Sequence, residues 1–291
     1  CRAARPRPVR FGFFPTRTAP GLTRGPRAST AGTLDACWLY MTDYSASWHT
    51  ARRFLVVWLL ALTWASCHAR EVVDMAGRHI VVPDRIERIW GSAPPLSVLL
   101  MVTAPERMTG VNLPPTPEAR RFLPPGVAAL PVLGGVYGVG RQANPEEVLA
   151  GRPQVALAWK SPMVDPAMVE GFFSKIGVPV VFVALDTLAD WPAALRFTAD
   201  LLGMPGAADA QAGHVERAMA RVKAAVGDIP ERERVRVFYA EGPTGGATDC
   251  HRSFHTEAIE LAAGWNIHRC TQSSHVGMEA ISLEQVLAAD P

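Results

Sequence analysis

The chain has 291 residues, 48% of them hydrophobic and 19% charged, enough for a sizeable core and one or two domains. Its formal net charge of +2 overstates the basicity of the body, because arginine is concentrated in the first seventy residues. No basic patch interleaved with aromatics follows them, which excludes nucleic acid as an expected partner, and the sequence carries no internal repeat.

Residues 1–40 are rich in Arg, Pro and Thr, lack helical or alternating periodicity and begin without Met. They read as a leader foreign to the rest, either a disordered extension or, preferably, translated upstream sequence, with Met41 as the start. Residues 54–66 (FLVVWLLALTWAS) then form a short apolar run behind Arg52 and Arg53 and ahead of small residues. That is the physical form of a secretory signal over residues 41–69: a positive end held inside, a greasy helix inserted, and small residues fitted to the peptidase. A membrane span needs about twenty apolar residues, and this run is shorter. The remainder is therefore read as exported. A lipid anchor on Cys67 is the less favoured alternative, because Trp64, three residues before it, suits a lipobox poorly.

Export changes the meaning of the cysteines. Cys1 and Cys37 fall in the leader and Cys67 at the cleavage region, leaving Cys250 and Cys270 as an even pair in an oxidising compartment. A disulfide between them is the expectation, with zinc or haem ligation by the two thiols as the alternative.

From Ile86 onward the sequence alternates strand-like apolar runs with helical patches. A strand is expected at 88–90, running into the loop 91–95, then a helix at 96–101 and a strand at 107–111. A short helix at 145–150 leads to a buried strand at 154–159. A helix at 164–176 ends at Gly177, and a strand follows at 178–183. Strands separated by helices at this spacing imply a largely parallel sheet with helices on both faces. Two longer helical segments follow at 188–202 and 207–226. The second carries Val215, Met219, Val222 and Val226 at helical spacing and is long enough to cross a small domain. A new strand opens at 234–239. The fold expectation is α/β: two Rossmann-like lobes, 71–205 and 233–291, joined by one long helix at 206–228. Near the end, Ser282 and Gln285 make a capping box for a last helix, and one strand with two helices is too little for a sheet, so the second lobe is read as incomplete.

Three segments carry a resemblance. Residues 74–89 (DMAGRHIVVPDRIERI) are similar to the opening of mature periplasmic binding proteins that serve iron-siderophore, haem and cobalamin importers. Residues 144–159 (NPEEVLAGRPQVALAW) resemble that family's helix-then-strand element in the first lobe, and residues 281–291 (ISLEQVLAADP) resemble its counterpart in the second. The resemblance covers roughly 71–291 and implies two lobes bridged by a rigid helix, with ligand held in the cleft between them. It implies a periplasmic carrier, without catalysis or intrinsic cofactor and expected to be a monomer. Its cargo would be a metal chelate (ferric siderophore, haem, corrinoid or a nickel or cobalt complex), delivered to the membrane subunits of an ABC permease. It also implies one acidic residue per lobe that docks on permease arginines. By position these are Glu146, with Glu147 as the local alternative, and Glu284. Both also suit the positive end of a helix dipole as ordinary first-turn glutamates.

Ligands of open α/β sheets sit beyond the carboxyl ends of the strands. That rule selects Pro94 in the loop 91–95, Tyr137 and Arg141 in the segment 137–141, Trp159 and Lys160, and Tyr239 with the glycine-rich loop 240–255. Trp159, at a strand end with Lys160 beside it, is the preferred aromatic wall, whereas Trp191 and Trp265 read as structural. Within the loop, His251, Arg252 and His255 are further ligand candidates. If Asp249 caps a helix, His251 and His255 share one face four residues apart and can share a metal; if Ser253 is the cap, the pair separates. Arg252 and Arg141 would supply charge-assisted hydrogen bonds to an anionic cargo. His268 and His275 lie further on.

Two rival readings belong to other classes. A periplasmic protein that binds free Ni²⁺ or Zn²⁺ would use the histidines. A secreted α/β enzyme would need a nucleophile elbow, a paired-histidine zinc motif or a phosphate loop, and none is present; Ser161, Ser253 and Ser273 lack any nucleophile context.

Overall fold

The computed structural model describes residues 69–138, 140–271 and 277–291. The leader, the signal segment with Cys67, and His275 lie outside the described residues. Among those described, no helix is long and apolar enough to cross a membrane.

The described chain starts with an antiparallel hairpin, β1 (Ala69–Val73) and β2 (His79–Pro83), paired from Ala69 opposite Pro83 to Val73 opposite His79. Its turn is built on Asp74, which accepts from the backbone N–H groups of Ala76 and Arg78 at 2.9 Å each. Gly77, at φ +79°, supplies the left-handed residue that the turn needs.

The main sheet is parallel, in the order β3 (Ile89–Gly91), β4 (Val155–Lys160), β5 (Val180–Ala184). The strand expected at 107–111 is present only as single parallel bridges, Ile89 to Met108 and Val111 to Val132. There the backbone bonds β3 through Thr109 and, two residues on, bonds Pro131 and Leu133 instead, so no ladder of strand length builds up.

β4 shows why the sheet is buried on both faces. Val155, Leu157 and Trp159 point to one hydrophobic cluster, and Ala156 and Ala158 to the other. β5 repeats the alternation, with Val181 and Val183 on the first side and Val180 and Phe182 on the second, as the two-residue period of a strand requires. The first side is covered by α1 (Pro94–Thr103), through Leu96, Leu99 and Leu100, and by the helix Trp191–Leu201. The second is covered by the short helix Pro145–Ala150 and by Pro166–Ile176, through Val148, Val169 and Phe173. With Pro117–Arg120 as α2, these last two are α3 and α4, and Trp191–Leu201 is α5.

Local chemistry sets the helix ends. Asn144 and Asp165 accept from the second N–H of α3 and α4, which both begin with proline, the residue that loses nothing at a first turn. Gly177 closes α4 at φ +65°, as read from the sequence. The helix expected at 188–202 divides: a Thr187–Asp190 capping box holds a 3₁₀ turn at Leu188–Asp190, and α5 begins only at Trp191, followed by Pro192.

The long helix α6 (Asp209–Val226) spans 18 residues, about 27 Å at 1.5 Å per residue. Val215, Met219, Val222 and Val226 are all half-buried along it, matching the expected apolar stripe. Arg196 of α5 grips it with bonds to Asp209 and Glu216; those carboxylates push the guanidinium pKa up.

After α6 a second parallel pair forms, β6 (Val235–Val237) with β8 (Gly264–Asn266), beside a small antiparallel pair, β7 (Ala247–Thr248) with β9 (Glu279–Ala280). Helices α7 (Glu257–Leu261) and α8 (Leu283–Ala289) complete it. The Ser282–Gln285 capping box of α8 forms as the spacing indicates.

Candidate ligand cleft

The loop between β7 and α7 crosses the carboxyl end of β4. Phe254 stands edge-on to Trp159, with ring centroids 5.2 Å apart and planes at 72°. The backbone N–H of Leu188 donates to Glu257 Oε2 at 2.7 Å, tying the segment after β5 to the first turn of α7. Burial raises the pKa of the Glu257 carboxyl, and the Leu188 bond opposes that. Tyr137 lies beneath the same edge, and its Oη accepts from the Trp159 backbone N–H at 2.6 Å. Burial pushes the Tyr137 phenol far above its ordinary range, so it stays neutral and holds the strand end in place. Pro94 opens α1 half-buried just below, after the loop at Ser92 whose backbone carbonyl bonds Val136.

Trp159 and Lys160, adjacent in sequence, do not share a wall. Strand alternation turns Trp159 toward Phe254, while Lys160 emerges on the opposite side, lining a cavity of about 250 Å³ with Arg78, Ser161 and Phe182. Arg141 is likewise engaged elsewhere. Its Nη2 meets both oxygens of Glu147, at 2.6 and 2.5 Å, and its Nη1 donates to the Val132 carbonyl. The pairing takes up Glu147 and leaves Glu146, exposed at the second position of α3, with its side chain turned to solvent. Glu284 occupies the corresponding first turn of α8, and its own backbone N–H and Ser282 lower its pKa.

The loop 249–256 is a series of turns, and α7 starts only at Glu257, so neither Asp249 nor Ser253 caps it. The reason is Asp249 itself. Its buried carboxylate accepts from the Cys250 N–H, the Ser253 hydroxyl and His255 Nδ1, the last at 2.8 Å, which winds the chain around it. Consequently His251 and His255 have different surroundings. His255 joins Asp249 and Glu241, whose Oε1 is 3.8 Å from Nδ1, and its ring lies tilted at 54° against Phe254, centroids 4.0 Å apart. His251 donates its backbone N–H to His268 and has a buried Nδ1 without a partner among the described residues. Burial, then Arg269, lowers the His251 pKa. Arg252 is exposed. Burial, then the charges of Glu241 and Asp249, raise the Tyr239 pKa.

Gly277, at φ +65°, lies against this group: a Cβ there would meet Glu241 oxygens at 2.7 and 2.8 Å and Asp249 Oδ2 at 3.0 Å. A Gly277→Ala variant is therefore expected to unfold at a urea concentration well below that of the parent, by about 1 to 3 kcal/mol, read by fluorescence. Cys250 and Cys270 form a disulfide, with Cα atoms 5.2 Å apart. Cys270 lies beyond β8.

Sequence reasoning did not select Phe254, Glu241 or Glu257 as site residues, and it read Asp249 only as a possible helix cap. Only Phe254 left a signal, an aromatic between Ser253 and His255 in a loop otherwise polar. Glu241 and Asp249 lie eight residues apart in the loop 240–255 and meet only through its folding, which no helical or strand period foretells.

An α/β fold with two parallel sheets and an aromatic loop at a strand end defines a class of scaffold. No family model matches the sequence. A solved ABC transporter solute binding protein from Sulfurospirillum deleyianum DSM 6946 is 35% identical, with a TM-score of 0.71, over 76% of this chain and 69% of that one. The vitamin B12-binding protein of Pectobacterium carotovorum subsp. carotovorum (strain PC1) is 27% identical over 148 residues, 51% of each sequence. The chain thus spans about half the length of that curated relative. The periplasmic vitamin B12 binding protein of Vibrio cholerae shares the fold at 18% identity, with a TM-score of 0.53 over 71% of this chain and 74% of that one. The chain belongs to the ABC transporter solute-binding proteins.

Proposed function

We infer that the protein is the periplasmic binding component of an ABC importer, capturing a metal chelate and passing it to the permease without catalysis. The observation that carries this is the closure of the loop 249–256 over the end of β4, where Phe254 meets Trp159 above Tyr137. In this reading the two parallel sheets belong to two lobes bridged by α6, and the cargo lies between them. Trp159, Tyr137 and Pro94 form one wall; His255, Tyr239 and Arg252 form the other. The aromatic surfaces suit a planar or macrocyclic chelate, and His255 supplies an imidazole toward its metal. Lys160, Arg141 and His251 would enter only if the cleft reorganises on binding. The names of the relatives favour a chelate: vitamin B12 for two of the three proteins compared.

The test is tryptophan fluorescence of the exported chain titrated with ferric siderophores, haem, cobalamin, nickel-histidine and bare Ni²⁺ or Zn²⁺. Saturable one-to-one quenching by a chelate, abolished in Trp159→Phe and weakened at least about tenfold in His255→Ala, is expected. Response to bare metal alone would move the reading to the Glu241–Asp249–His255 group. Silence across the panel from folded protein would end the metal-chelate reading.

Docking is proposed at Glu146 and Glu284. Reversing both charges, with Glu146→Lys and Glu284→Lys, is expected to leave cargo affinity unchanged. Stimulation of permease ATPase should then require about tenfold more protein, because these rim charges act on association. An unchanged ATPase response would remove them from the interface.

A further inference from the structure

The geometry points to a second, redox-gated metal site on the far side of Asp249 from His255, made of Cys250, Cys270, His268 and Glu279. Their ligand atoms all lie within 4.8 Å of one another. Glu279 sets an oxygen 3.2 Å from Cys270 Sγ, both oxygens 3.3 Å from Cys250 Sγ, and Oε2 2.9 Å from His268 Nε2. A disulfide has no proton to donate, so it gains little from a carboxylate held against both sulfurs. Two thiolates, an imidazole and a carboxylate converging on one point are a zinc-class tetrahedral donor set.

The scaffold holds these groups in place independently of the disulfide. The backbone N–H of His251 bonds the His268 carbonyl, and Asn266, fully buried, donates from Nδ2 to the Asp249 carbonyl and accepts from the His268 N–H. These bonds pin the residues flanking Cys250 to the strand that leads to His268 and Cys270. Cys250 is buried, whereas the side chains of His268 and Glu279 are about a quarter exposed, which leaves an entry path. A disulfide carries no thiolate charge, so the oxidised pair offers an ion little. A dithiol reductant supplies two electrons and two protons and becomes a disulfide itself, while the Cys250–Cys270 bond breaks to two thiols. A Zn²⁺ ion then replaces the two thiol protons, which leave to water.

The experiment uses the exported chain, oxidised or reduced anaerobically with a dithiol that is then removed, and titrates each form with Co²⁺. The reduced form is expected to develop thiolate-to-cobalt charge-transfer and tetrahedral ligand-field bands, saturating at one ion per chain and bleached by Zn²⁺. The oxidised form should show neither. His268→Gln and Glu279→Gln each keep both thiols and should weaken the ion at least about tenfold, since their loss strips a donor. Reduced protein without the charge-transfer band would overturn the proposal. So would affinities unchanged in both variants, or a fold lost on reduction that Zn²⁺ does not restore. The cargo titration uses oxidised protein, so failure of one reading leaves the other standing.

Discussion

Replacing Asp74 with alanine is expected to cost about 3 to 5 kcal/mol of stability, the range for removing one partner of a buried charged pair. Its carboxylate is fully buried and serves five donors: the N–H groups of Ala76, Arg78 and Phe182, and the Nε and Nη2 of Arg78. The Phe182 contact, at 3.0 Å, joins the β1–β2 turn to the edge strand of the main sheet, and the Met75 N–H returns a bond to the Phe182 carbonyl. Alanine leaves the Arg78 guanidinium, held over the Phe182 ring, with only the half-exposed Glu170 and the Val180 carbonyl as partners, and strands the Phe182 N–H. An Asp74→Asn variant would retain one acceptor but turn an amide donor toward other donors, so an intermediate loss is expected. Urea unfolding followed by fluorescence checks both. A loss below about 1 kcal/mol for the alanine variant would mean that the Met75–Phe182 backbone bond alone seats the hairpin.

The sequence pattern carries the first half of this fold because its signals are local and agree with one another. Val155 to Trp159 reads as a buried strand from its apolar run, and Asn144, Asp165 and Gly177 mark helix ends by side-chain chemistry alone. The misreading at 107–111 has a physical source: the residues favour a strand, but backbone partners decide whether one exists, and here they change after a single bond. Residues 69–83 yield no strand expectation, although Asp74 and Gly77 carry the turn chemistry of their hairpin.

The candidate site is less legible because it is assembled by convergence. The sequence places Trp159 at the right strand end, yet pairing it with Lys160 ignores the two-residue period that sends neighbours to opposite faces. The His251–His255 spacing carries weight only if the loop is helical. Asp249 captures the Ser253 hydroxyl and the His255 ring, an alternative to helix that a buried Asp supplies readily. Of the histidine-rich stretch, His255 therefore faces the cleft group and His268 the cysteines.

Removing the Cys250–Cys270 bond, by Cys250→Ser with Cys270→Ser, is expected to lower stability by about 3 kcal/mol, the chain-entropy value for a loop closed across 20 residues. The loss should fall mainly on the unfolded state. In the folded chain the His251–His268 and Asn266–Asp249 bonds already join the two segments, so native geometry does not depend on the sulfurs alone. Urea midpoints of parent and variant, with unchanged native fluorescence, would separate the two contributions. A loss below about 1 kcal/mol would show that the unfolded chain keeps these segments together without the bond. Adding Zn²⁺ extends the comparison. Reduced parent protein should regain stability as the ion binds the folded state, by mass action, while the serine variant should gain nothing. If both forms respond equally, the ion is held elsewhere, and the carboxylate against the two sulfurs is only a feature of packing.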